Sequence, residues 1–463
     1  MLETVTLGGG RATLVASDVA ALRGAMVGAV LAAGDDGYEA ARRVWNGNID
    51  RQPALIARCV SVADVQHAVV FAKRHGLLLA VRGGGHSAPG YGVNDGGMVI
   101  DLTPMKAIVV DPGRRTARAE GGVLWRELDA ATQEHGLAVT GGTVSNTGIA
   151  GLTLGGGIGW LSGKYGATVD SLLSAEVVTA DGRVVVASAQ RHPDLFWALR
   201  GGGGNFGVVT TFEYRLYLVG QVLGGLVLHP LAAAADLLKF YREAVATLPD
   251  EGEVDAGLLT LPDGTRVAGL VMGYNGDLAA GEAALASFRA FGAPIADMVR
   301  PMSYGERQVL LDEPNATHGL HRYWRSAFTE QMSDEFIRIM IDGANHFSSP
   351  MSALLMFYMH GAMTRVGESE TAFAARRPQW DIDVIGQWAD PAESERHIAW
   401  VRELWAQLEP ELAGSVYVNH ISTDDAPEKV RASFGPNYAR LRQVKATYDP
   451  DNLFRFNSNI PPA

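Results

Sequence analysis

Apolar and polar positions fall into two textures along this chain. Between residues 50 and 217 the apolar residues form short β-branched runs separated by glycine, and from 220 to 415 they form longer segments with helical spacing. In the first region "SVADVQHAVVFAKRHGL" places its apolar residues on one face of a helix, with Ser61 as N-cap and Gly76 as the residue that ends it. "LLLAV" after it is a continuous apolar run, the pattern of a buried strand. "VLWRELDAATQEHGL" predicts a second helix that also ends in glycine. The β-branched runs flanking Asp181-Gly182 predict a hairpin, because Asp-Gly favours the tight primed turns. In the second region "AAAADLLKFYREAVATL", "AAGEAALASFRAFG" and "ESERHIAWVRELWAQL" predict helices, which alternate with strands in "AGLLTL", "RVAGLVMGYN" and "SALLMFYMHGAM". The tail "NYARLRQVKATYDPDNLFRFNSNIPPA" predicts a helix, an Asp-Pro-Asp turn and a polar, aromatic end. The pattern predicts an α+β fold with more than one core.

Composition narrows the function classes. The 463 residues are 47% apolar and 19% charged, as in a globular protein. A net charge of −12 argues against a nucleic-acid or anionic-membrane partner. The single cysteine, Cys59, leaves no disulfide framework and no cysteine-rich metal site. That suits a reducing cytoplasm, the expected location. The N-terminal segment has no basic region before an apolar core, and no stretch reaches the ~20 apolar residues of a membrane span.

Glycine carries the chemical signal. Three runs, Gly83–Gly85, Gly155–Gly157 and Gly201–Gly204, sit beside strand-like segments. "GGGHSAP" lacks the last glycine of a hydrolase nucleophile elbow, and "PGYGVNDGG" after it cannot open a helix. Gly202-x-Gly204-x-x-Gly207 matches the dinucleotide fingerprint, but a helical "PDLFWALR" precedes it and a strand-like "GVVTTFEYRLYLV" follows, the reverse of the Rossmann order. "GKY" at Gly163–Tyr165 lacks the Ser or Thr of a P-loop. His318 and His321 have no Cys or HExxH partner for zinc, so no metal is expected. What remains is close approach. Glycine amides without Cβ atoms let an extended ligand lie on the backbone, and an adenine dinucleotide has that size.

The motifs "RGGGHS", "NDGGMVIDL", "TGIAGLTLGGGIGWLSGKYG", "HPDLFWALRGGGGNFGVVT" and "YDPDNLFRFNSNIPP" resemble those of FAD-linked oxidases of the vanillyl-alcohol-oxidase/PCMH superfamily, in the berberine-bridge-enzyme-like branch. The likeness runs over residues 40–463. It implies a PCMH-type FAD-binding domain of two α/β subdomains over residues 1–219. An α/β substrate domain, an antiparallel sheet covered by helices, would span 220–415, and a C-terminal segment, 416–463, would return to the FAD domain.

The resemblance also assigns residues. His86 would carry an 8α-histidyl bond to FAD, with Arg82, Gly83, Gly84, Gly85, Ser87 and Gly90 around the pyrophosphate. The second loop would add Gly141, Gly142, Ser145, Thr147, Gly148 and Gly151. Gly155 and Gly156, then Asn205, Gly207 and Val208, would complete the cradle, and Asn419, Asn457 and Asn459 would reach back to the flavin. Doubly linked relatives carry a cysteine where this chain has Val144, so one covalent bond is expected, not two. Thr147 is a candidate oxygen-site residue. On the strand "LLMFYMHGAM" a period-two face would present Met356, Tyr358 and His360 to the substrate. Tyr358 and His360, with Tyr417 of the Tyr-x-Asn motif, are the candidate acid–base residues. Tyr323, Trp324 and Trp388 are candidate aromatic walls.

The function implied is an oxidase. A hydride would pass from a CH–OH or CH–NH centre of a bulky aromatic or apolar substrate to flavin N5, with dioxygen reduced to hydrogen peroxide. A carbohydrate oxidase or dehydrogenase of the same fold, a flavin-binding protein without turnover, and a serine hydrolase stand as alternatives.

Overall fold

The computed structural model describes residues 1–463, the side chain of Pro314 excepted. The chain builds three main sheets. The first has the strand order Val30–Leu31, Leu55–Arg58, Met98–Asp101, Leu79–Arg82, and its last three strands run parallel. Helix Val62–Arg74 makes the crossover between Leu55–Arg58 and Leu79–Arg82. Ser61 caps that helix by accepting the Asp64 N–H, a contact worth about 1 kcal/mol, and Gly76 turns away at φ +59°.

The second sheet is antiparallel, in the order Val184–Ser188, Leu172–Val178, Val208–Arg215, Thr116–Glu120, Ile108–Asp111. Its first two strands form the hairpin expected at Asp181-Gly182. The turn differs from the expected primed type: Gly182 N–H donates to Thr179 O, Thr179 N–H donates to Arg183 O, and only Gly182, at φ +80°, is left-handed. This is a three-residue loop closed by a glycine bulge. Helix Pro193–Leu199 comes before the third glycine run and strand Val208–Arg215 after it, the order that rules out a Rossmann loop.

The third sheet has eight antiparallel strands. Its main path is Ala296–Asp297, Gln221–Pro230, Arg266–Tyr274, Gly252–Thr260, Ala353–Met359, Gln379–Trp388, His321–Thr329, with Arg300–Ser303 pairing beside Gln221–Pro230. Helices Ala234–Ala244, Asp334–Asn345 and Ser394–Leu408 cover one face and bury Leu237, Phe336, Met340, Val401 and Leu404 against Leu354, Met356, Ile382 and Val384. The other face looks toward the glycine loops. Helix Tyr438–Tyr448 packs on Pro193–Leu199, and the tail is fastened by side chains. Lys445 Nζ donates to Asn205 O at 2.7 Å and to Phe454 O at 2.9 Å, and Asn205 Oδ1 accepts the Ile460 N–H at 3.0 Å. Among the described residues no helix is long and apolar enough to cross a membrane.

Candidate functional site

The glycine loops meet each other before they meet anything else. The Leu79–Arg82 strand ends where the chain must pass the loop before helix Ile149–Leu154. There a Cβ on Gly84 would run into the Gly148 backbone, and a Cβ on Gly148 into Gly84. These two backbones in contact border a cavity of about 370 Å³. Arg82, Gly83, Gly84, Gly85, His86 and Ser87 line it on one side. Gly142, Thr147, Gly148 and Gly151 line it from the second loop, with Val144 among them, and Asn205, Gly207, Val208, Asn419 and Asn457 from the third loop and the tail.

Several of these residues also hold the cradle together. Arg82 pairs with buried Asp101 and donates to the Ala41 carbonyl. Ser87 Oγ accepts the Tyr91 N–H, which fastens the loop. Asn419 Nδ2 donates to Leu152 O and to Tyr417 Oη. Other expected members lie outside the cavity lining. The side chains of Ile49, Trp125, Asn419 and Phe373 press on Gly90, Gly141, Gly155 and Gly156, so these glycines serve packing. Ser145 turns to Asp312, its amide 2.8 Å and its hydroxyl 2.6 Å from that carboxylate. Asn459 lies off the cavity, with its buried Oδ1 unpartnered.

His86 is the reactive-looking group of the cradle. Its ring stacks on Trp45 at 4.7 Å with planes 21° apart, its Nδ1 lies 3.5 Å from Thr147 Oγ1, and its buried Nε2 has no hydrogen-bond partner. Burial first, then the charges of His318 and Arg322, pull its pKa down to about 3. The imidazole is therefore neutral at physiological pH and keeps a free lone pair. A backbone cradle with an orphaned imidazole nitrogen at its edge, and the orphaned Oδ1 of Asn457 on its lining, fits the polar and ring parts of a flavin dinucleotide. Cys59 is buried in another core, beneath the parallel sheet.

The opposite wall corrects the expected strand face. Leu355 pairs with Gly257 and Asp383, and Met356 with Ala256 and Ile382. Alternation then puts Leu355, Phe357, Asp381, Asp383, Ile385 and Gln387 on the cavity face, and all six line the cavity. Met356 and Tyr358 point the other way. Met356 is fully buried under the helices, and Tyr358 packs against the same core and Trp380. The strand ends at Met359, so His360 leaves the sheet and approaches Gly163. Tyr358 and His360 line a separate 20 Å³ cavity with Glu253 and Asp255, where burial pulls the His360 imidazole down. Of the aromatic walls, Trp324 lines the large cavity, whereas Tyr323 hydrogen-bonds Asp424 on the far face and Trp388 is buried against His397.

Sequence reasoning passed over the strongest group on this wall. His420 Nδ1 lies 3.1 Å from Asp381 Oδ2 and 3.2 Å from Asp383 Oδ1, both buried carboxylates. Burial pulls the imidazole down, but Asp383 and Asp381 together outweigh it and push its pKa up to about 10. Burial in turn lifts Asp381 above the usual carboxylate range, against the pull of His420. Trp324 Nε1 donates to Asp383 Oδ1 at 2.8 Å and Ser326 Oγ to Asp381 Oδ1 at 2.9 Å, while Asp383 Oδ2 has no partner. Tyr417 stands beside this cluster, its ring 4.8 Å from that of His420. Its Oη accepts the Gly157 N–H at 2.9 Å and the Asn419 amide at 2.7 Å, two donors that favour the phenolate, although burial pushes the pKa up. The available signal was "QWDIDVIGQW", in which two aspartates share one face of a mostly apolar strand.

The comparisons with known proteins give the family and the fold. Residues 53–188 match the family described as FAD binding domain, and residues 416–461 the family described as berberine and berberine like. (R)-6-hydroxynicotine oxidase of Paenarthrobacter nicotinovorans is 33% identical over 446 residues, covering 94% of this chain and 97% of its own. An FAD-linked oxidoreductase of Dictyostelium discoideum is 30% identical and covers 90% and 91%. The crystal structure of 6-hydroxy-D-nicotine oxidase from Arthrobacter nicotinovorans superposes with a TM-score of 0.88 at 32% identity, over 95% of this chain and 98% of that one. The fold is also that of a xylooligosaccharide oxidase from Myceliophthora thermophila, with a TM-score of 0.86 at 24% identity over 97% and 100% of the two chains.

Proposed function

The chain belongs to the berberine-bridge-enzyme-like branch of the FAD-linked oxidoreductases, and we propose that it is an oxidase that dehydrogenates a CH–OH or CH–NH centre on a bulky, partly apolar substrate, with dioxygen as acceptor and hydrogen peroxide as product. One observation carries the reading. A neutral, orphaned His86 at the glycine cradle faces a wall on which Tyr417 adjoins the Asp381–Asp383–His420 cluster across a single cavity.

Bound FAD supplies the hydride acceptor. The rest is the work of side chains. Trp324, Leu355, Phe357 and Ile385 hold the apolar body of the substrate and keep water from it. Tyr417, in the phenolate form that its two N–H donors favour against burial, takes the O–H or N–H proton as the C–H bond breaks. Asp383 Oδ2, unpartnered, accepts a hydrogen bond from the substrate's hydroxyl or ammonium. Two carboxyl groups set against one imidazole give this wall an acidic edge, which disfavours anionic substrates. His86 forms the single covalent tether, since Val144 offers no second one. A carbohydrate substrate is the second reading, favoured by the polar edge that Asp381, Asp383 and Gln387 give the cavity.

Two measurements test this. Anaerobic addition of amines, bulky alcohols and oligosaccharides should bleach the flavin absorption for one of these classes, and air should restore it with one peroxide per turnover. A panel that leaves the band untouched favours a binding protein without turnover. Acid-precipitated protein should stay yellow, and His86→Ala should release all its flavin.

A further inference from the structure

Resting on the reading of His86 as the attachment residue, we propose that Trp45, clamped by Arg322 and Gln387, is the positioning residue that holds the His86 ring for covalent attachment. Trp45 is nearly buried and touches His86 as a near-parallel stack. The guanidinium carbon of Arg322 lies 3.8 Å from the centre of the same indole. Arg322 itself is fixed by many contacts: Nε to Gln387 Oε1 at 2.6 Å, Nη1 to the Trp45 carbonyl at 3.0 Å and Nη2 to Thr317 O at 2.7 Å. The indole cannot slide, because its Nε1 donates to Asn315 O at 2.7 Å and its backbone N–H to Gly85 O at 3.1 Å. Arg322 and Gln387 come from the third sheet, and Gln387 lines the large cavity. The substrate-side sheet thus reaches behind the FAD-side histidine through one guanidinium and one indole.

The attachment chemistry needs such a clamp. His86 loses its N–H, one C–H of the flavin 8α-methyl breaks, and the N–C bond forms. The electron pair and two protons released leave with dioxygen as hydrogen peroxide. The imidazole must be neutral, with its lone pair aimed at one carbon, and a ring stacked on a fixed indole meets that demand better than one free to turn about its side-chain bonds. The cation beside the indole also opposes protonation of His86.

The test uses the full chain, freshly synthesised in the presence of FAD, sampled over time and acid-denatured. Flavin fluorescence on the chain is compared with flavin released. Trp45→Leu keeps apolar volume and loses the stack, whereas Trp45→Phe keeps a ring. The expected result is covalent incorporation about tenfold or more slower in Trp45→Leu and near wild type in Trp45→Phe, with non-covalent flavin retained in both. Incorporation at the wild-type rate in Trp45→Leu overturns the proposal. So does an equal slowing in both variants with matched losses of thermal stability, which would make Trp45 a packing residue only. Release of all flavin from the wild-type chain is a separate outcome, because it removes the His86 attachment itself.

Discussion

The two walls of the cavity are built on different physics. On the FAD side, loops present backbone. Gly84 and Gly148 touch through main-chain atoms and line the cavity with no side chain of their own. On the opposite side, a sheet presents side chains, and one residue of slip exchanges Phe357 and Asp381 for Tyr358 and Trp380. A backbone site is written in glycines that are easily read along the chain. A side-chain site on a strand is written in a parity that only the pairing reveals.

The most severe way to break this comparison is on the backbone side. Gly84→Ala sets a Cβ against the Gly148 main chain, which has no soft side chain to yield. It should cost about 3 kcal/mol and leave protein with little or no flavin, read by flavin content and by thermal melting. On the sheet side, Tyr417→Phe should retain flavin and lower kcat by about 100-fold or more, measured by rapid-mixing flavin reduction. A loss of less than threefold or so would move the base elsewhere.

His420 sharpens the contrast through pH. Its folded pKa, about 10, lies above the ordinary 6.5, so its ion pairs with Asp381 and Asp383 are complete below about 6.5 and are lost as pH rises through about 10. Wild-type melting temperature should therefore fall across that alkaline interval, and His420→Gln should lose this limb of the profile while already melting lower at neutral pH. An unchanged alkaline limb in the variant would assign it to another group. The smallest effect is expected at Tyr358→Phe, which lies on the helix-covered face: flavin reduction should stay within about twofold of wild type. A large loss there would restore the even-numbered face as the substrate wall.

Much of the fold was legible because local patterns govern it. Ser61 and Gly76 bound a helix whose apolar spacing is its own evidence, and the paired runs about Asp181-Gly182 could only return on themselves. The turn between them was not legible in detail, because the bulge at Gly182 depends on how Thr179 and Arg183 pair. Strands Gln379–Trp388 and His321–Thr329 were harder to see. The first is buried on both faces and its aspartates mask an apolar run; the second carries Arg322 and Arg325, whose partners Gln387, Trp45 and Asp425 lie far away along the chain.

The sequence by itself determined the α+β class, the family and the glycine cradle with His86 at its edge, because those features depend on residue type at short spacing. Tertiary structure alone decided which face of the third sheet lines the cavity, that Asp381, Asp383 and His420 share one charge system, and that Arg322 reaches Trp45 across 277 positions of chain. Strand parity, charge pairing and long-range stacking are relations between segments, and no single segment contains them.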